Sequence, residues 1–130
     1  MWVPDVRSTL KKLPRRDIDP DKDTTTKRGP LDIIIVGIET HICVLQTTLD
    51  ALREGNRVWV VQDGVSSCNV EERPVALARL RQEGARVTTS ESLMYEIMGD
   101  SGDPGFKEIA GLVKESKETT KDGLKALAAL

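Results

Sequence analysis

Two continuous apolar runs set the frame of this chain. Leu31 to Val36 is apolar throughout except for Asp32, and Arg57 to Gln62 (RVWVVQ) is a second run of the same kind. Unbroken runs of this length predict strands covered on both faces by helices. Between them, His41 to Glu54 carries Leu45, Thr48, Leu49 and Leu52 at helical spacing, and Gly55 is placed to end that helix. Asp63 to Asn69 predicts a loop. Arg73 to Glu83 predicts a second covering helix, with Pro74 tolerated only in its first turn, and Gly84 closes it ahead of a third strand, Ala85 to Thr89. Strands alternating with helices of this length imply right-handed crossovers and a parallel sheet, so the chain reads as α/β.

The flanks are less regular. Pro4 to Leu13 predicts a short helix with Val6, Leu10 and Leu13 on one side, stopped by Pro14. Arg15 to Pro30 is charged, rich in threonine and punctuated by Pro20, Gly29 and Pro30, which reads as an inserted mobile surface loop. Ser90 predicts the cap of a helix bearing Leu93, Met94 and Ile97. After a turn from Gly99 to Gly105, Pro104 opens another helix with Phe106, Ile109 and Val113 in a core-facing stripe. Beyond Lys114 the chain turns polar and ends in LKALAAL, a segment that docks as helix or frays. The expected organisation is residues 1–30 as helix and loop, 31–115 as the domain proper, and 116–130 as a polar tail.

Composition narrows the function. At 130 residues the chain suits one domain, and Trp2, Trp59, Tyr95 and Phe106 are its whole aromatic set. Its 19 basic residues are scattered among 21 acidic ones. The one basic cluster, Lys11, Lys12, Arg15 and Arg16, runs at once into acidic residues and reads as a solvated helix end, so no nucleic-acid partner is expected. No segment has the length of a membrane span or the pattern of a signal peptide, which predicts a cytoplasmic protein with no membrane partner. Cys43 and Cys68 are expected to be free thiols. With His41 the only histidine and no CxxC, no metal site of the usual composition can be assembled, and no glycine-rich phosphate loop calls for a nucleotide, so no cofactor is expected.

Chemistry concentrates at one edge. A parallel sheet presents its reactive groups beyond the carboxyl ends of its strands, and Cys43, Asp63 to Asn69 and Thr88 to Glu91 all fall there. Cys43 sits in the first turn of its helix, where unpaired N–H groups and the positive end of the dipole favour a thiolate and can hold an oxyanion. The plainer alternative is a small apolar residue packing a strand–helix junction. His41, two residues away on a helix, points away from Cys43 and reads as a partly exposed turn residue. Ser66 and Ser67 line a pocket or satisfy turn backbone, the second being commoner, and Asp63 reads as a brace for its loop.

From Asp32 to about Lys114 the chain resembles the isochorismatase-like cysteine hydrolases, nearest the isochorismatase domain-containing branch. The resemblance is carried by GIETHICVLQTTLDALREG, VVQDGVSS, RPVALARLRQEGARVTTSES and FKEI. It implies a three-layer α-β-α, Rossmann-like fold around a parallel sheet, and hydrolysis of a small amide-type substrate through a thioester on Cys43. Isochorismatase itself lacks the thiol, so the resemblance points to the amidase-like side of the family. It also implies oxyanion donors at the amides of Glu39 and Cys43, and a cis peptide between Ile38 and Glu39. The aspartate and lysine with which the family activates its cysteine have no matching positions, and Met1 to Val6 looks like the stretch that follows the lysine motif. The chain is therefore expected to be the C-terminal part of the domain, truncated at its N-terminal half and inactive alone. A small-molecule substrate would follow only on completion. A homo-oligomer or association with a full-length relative is the expected assembly, and a non-catalytic interaction module is the alternative function. In the family's strand order the neighbour of the cysteine strand lies in the part without a match, which would leave Ile33 to Val36 as a bare edge.

Overall fold

The computed structural model describes residues 4–13 and 29–127. The elements in order are α1 (Pro4–Lys12), β1 (Asp32–Ile38), a π-helical turn (Thr40–Val44), α2 (Leu45–Arg53), β2 (Arg57–Ser66), α3 (Glu72–Gln82), β3 (Arg86–Thr88), α4 (Ser90–Met98) and α5 (Phe106–Leu127). The sheet has the order β1-β2-β3 with both pairings parallel. Most of the expected Arg15–Pro30 loop, the first three residues and the last three lie outside the described residues.

Alternation along β2 builds the layers. Val58 and Val60 turn to one face, where they join Ile35, Leu45, Leu49, Leu77, Leu80 and Ala85 in the main core under α2 and α3. Trp59 and Val61 turn to the other face and pack with Leu93 of α4, while α5 also lies against β2. Helices thus cover the sheet on both sides, in an α/β fold of three layers. The helix ends follow from local chemistry. Gly55 takes a positive φ of 79° after α2. Its N–H donates to Leu52 O and that of Asn56 to Ala51 O, which satisfies two carbonyls the helix would leave orphaned. The buried Asn56 side chain then joins α2 to the sheet, accepting from Leu31 N–H and donating to Ala51 O, each at 3.1 Å.

Five sequence expectations are revised. β2 does not stop at Gln62 but runs to Ser66, because the ladder resumes past a bulge between Ile35 and Gly37, pairing Gly37 with Val65 and Ile38 with Ser66. Glycine at 64 permits this, since a Cβ there would lie 2.9 Å from Val36 Cγ1. β1 is covered on one face only: Ile34, Val36 and Ile38 are 50%, 61% and 69% exposed, because α4 and α5 lie over β2 and leave that side of β1 open. Thr89 rather than Ser90 caps α4, its Oγ1 accepting from Ser92 N–H at 3.3 Å. Ile97 of α4 is exposed and α5 buries no residue fully, so neither apolar stripe is core throughout. α5 also continues through the polar stretch beyond Lys114 to Leu127. Among the described residues no helix is long and apolar enough to cross a membrane.

Candidate functional site

The carboxyl ends of β1 and β2 lie side by side, and the segments that leave them meet. β1 runs into the Thr40–Val44 turn and β2 into the loop before α3, and α3 packs against that turn. The entry to α2 is a π-turn rather than a regular first α-helical turn. Glu39 holds extended geometry as its N-cap (φ −86°, ψ 133°), and the peptide bond between Ile38 and Glu39 is cis. The Glu39 carbonyl accepts the N–H groups of both Ile42 and Val44, each at 3.1 Å. Widened turns of this kind recur at functional sites, because they change where the first side chains and amides of a helix point.

Cys43 lies in this turn, and its side chain is exposed, as is that of Cys68 in the loop opposite; both are free thiols. Thr40 and Val44, on either side of Cys43 in the turn, are buried and anchor it. The turn is also tied across to the loop by two polar contacts. The N–H of Cys68 donates to Glu39 Oε2 at 2.7 Å, and His41 Nδ1 shares a hydrogen bond of 2.9 Å with Ser67 Oγ. The Cys68 amide, then its thiol, hold the Glu39 carboxyl below its ordinary value; slight desolvation opposes this and the charge of His41 assists it.

Asp63 braces the neighbouring strand end. Its Oδ1 accepts the N–H of Ser90 at 2.8 Å and its Oδ2 the Ser90 hydroxyl at 2.6 Å, so it fastens β2 to the start of α4 rather than its own loop. Ser66 is the last residue of β2, and Ser67 pairs with His41 instead of with turn backbone. His41 is partly buried. Sequence reasoning passed over Glu39 as anything but an amide donor, and did not join His41 to Ser67. The signal available was an acidic residue and a histidine flanking the turn's first threonine, opposite a Ser-Ser-Cys loop. Among the described residues no group of three or more His, Cys, Asp or Glu is placed to hold a metal ion.

Residues 22–92, more than half of the chain, match the family model described as the isochorismatase domain. A secreted isochorismatase effector, Isc1, of Phytophthora sojae is 47% identical over 92 residues, covering 71% of this chain and 44% of that protein. Isochorismatase domain-containing protein 2 of Bos taurus is 49% identical over 83 residues, covering 64% and 41%. Among solved structures, the MAR1 ribonuclease of Caenorhabditis elegans superposes with a TM-score of 0.67 at 39% identity, over 87% of this chain and 50% of that one. YcaC of Pseudomonas aeruginosa, solved with hexane-2,5-diol and covalent acrylamide, gives a TM-score of 0.59 at 29% identity, over 75% and 48%. The chain spans less than half the length of these two curated relatives, and about half of each solved chain.

Proposed function

The chain belongs to the isochorismatase domain family, and on that premise we propose that Cys43 is the nucleophile of a cysteine hydrolase acting on a small amide-type substrate. The observation that carries this reading is an exposed thiol in the opening turn of a helix, at the carboxyl edge of a parallel sheet. The Cys43 thiolate attacks the amide carbonyl carbon, forming a C–S bond and a tetrahedral oxyanion held by the N–H groups of Glu39 and Cys43. Collapse of that intermediate expels the amine, which takes up the proton first removed from the thiol. Water then cleaves the thioester to give the carboxylic acid and restore the thiol. A covalently held acrylamide in YcaC is consistent with nucleophile chemistry on this fold.

The proton steps are the weak point of this chain. In the family a carboxylate takes the thiol proton and a lysine stabilises the thiolate; neither has a matching position in this sequence, and turnover is expected where both are supplied. The word ribonuclease belongs to the C. elegans structure, and the scatter of 19 basic among 21 acidic residues in this sequence gives no support to a nucleic-acid substrate here. A non-catalytic interaction module that pairs with a full-length relative is the second reading, favoured by the uncovered aliphatic face of β1.

Alkylation separates the two. Both cysteines are exposed, so unequal access does not dominate a comparison of their rates. At neutral pH Cys43 is expected to react with iodoacetamide at least about tenfold faster than Cys68, because its turn presents it among the backbone N–H groups at the start of a helix. Equal, slow rates at the two sites would favour the inert module.

A further inference from the structure

The contacts between the cysteine turn and the loop opposite have a regular arrangement. Residues 39 and 41 of the turn meet residues 68 and 67 of the loop, in crossed order, through one carboxylate-to-amide and one imidazole-to-hydroxyl hydrogen bond. Neither side chain serves its own element. Glu39 makes no side-chain cap to the turn it precedes, and its carboxylate reaches across to the other strand's exit instead. Its carbonyl meanwhile receives the amides on both sides of Cys43. One residue therefore fixes the turn internally through its backbone and externally through its side chain. Ser67 is buried, so the hydroxyl that meets His41 has little freedom to reorient.

We infer that Glu39 and His41 are positioning residues for Cys43, a two-point clamp that sets the direction of the thiol by fastening its turn to the Ser67–Cys68 segment. The inference rests on the nucleophile reading of Cys43. Charge alone makes the opposite demand: a carboxylate beside a thiol disfavours the thiolate, so an electrostatic role for Glu39 would be inhibitory. Geometry and charge therefore predict opposite signs for the same substitution.

The test is site-resolved alkylation of the whole chain by iodoacetamide across pH, with Cys43 and Cys68 quantified separately by mass spectrometry. Glu39→Gln keeps an oxygen acceptor for the Cys68 amide and removes the charge, and Cys43 is expected to react as fast as wild type or faster. Glu39→Ala removes both, and Cys43 is expected to slow by about threefold or more, as the loss of one charge-assisted hydrogen bond implies. His41→Ala and Ser67→Ala are each expected to slow Cys43, and the double variant to be no slower than either, because one shared bond is lost. His41→Asn is expected to restore the rate. Cys43 in Glu39→Ala at or above wild type, or additive losses at His41 and Ser67, would overturn the clamp while leaving the nucleophile standing. A wild-type Cys43 no faster than Cys68 would instead sink the nucleophile reading. The clamp would then be judged on amide exchange at Cys68, which Glu39→Ala accelerates and Glu39→Gln does not if the contact is made.

Discussion

Glu39 is where single-residue physics bears most directly on the site. Its carboxyl is held below its ordinary value of 4.5, first by the Cys68 amide and then by the Cys68 thiol. A carboxyl with a depressed folded-state pKa contributes stability that is present above the unfolded value and is lost as pH falls through the folded one. The join between turn and loop is therefore expected to be intact at neutral pH and to weaken only from the ordinary glutamate value downward. Amide-proton NMR checks this directly: the Cys68 N–H resonance should titrate with an apparent pKa below 4.5, and the step should vanish in Glu39→Gln. A Cys68 amide that is flat through this range in the wild-type protein would show that the carboxylate does not hold it. The sequence did not disclose this contact, because a glutamate beside a turn has many partners within reach and 29 residues separate it from the one it takes.

Elements are decided by such side-chain-to-backbone joins as much as by periodicity. Asn56 is buried between the end of α2 and the start of β1, with both its amide oxygen and its amide nitrogen engaged. Asn56→Ala leaves the Leu31 N–H without its acceptor in a part-buried place, while the Ala51 carbonyl keeps only the backbone N–H of residue 56; the substitution is expected to cost about 1–3 kcal/mol. Urea denaturation with an unchanged slope measures it, and a loss within error of zero would mean water replaces the side chain. Strand and helix existence was legible from the chain because β1, β2, α2 and α3 each bury an apolar run or stripe of the right period. Their limits were less so. Asp63 to Ser66, the start of the expected Asp63–Asn69 loop, reads as irregular, yet it continues β2, since parallel pairing with Gly37 and Ile38 outweighs local propensity. The same holds for α5, whose polar second half lacks the stripe that marks a buried helix. Arg73 makes the point from the other side. A charged side chain with no apolar pattern to mark it, it is buried in the first turn of α3, and its Nη1 donates at 3.3 Å to the Ala126 carbonyl near the end of α5. A cation there complements the negative end of that helix.

At the scale of the whole molecule the unfinished feature is β1. Within the described sheet it pairs only with β2, so its other edge presents unpaired backbone groups, and Ile34, Val36 and Ile38 form an aliphatic row on the face that α4 and α5 leave open. An edge and a face that are both apolar and uncovered favour pairing with a second copy, since neither lysine nor proline interrupts the strand. The chain is therefore expected to associate in a concentration-dependent way, read by light scattering on a gel-filtration column. Ile34→Lys combined with Val36→Lys places charge on that row and should shift the population toward monomer. Because both side chains are already half or more exposed, the folded monomer should lose little stability, within about 0.5 kcal/mol per site. The pair of readouts separates two causes. Association that disappears at unchanged melting temperature locates the contact on the β1 face, whereas association that survives the lysines, or a wild-type chain that stays monomeric at every concentration, shows that β1 is not the surface on which the chain meets another copy.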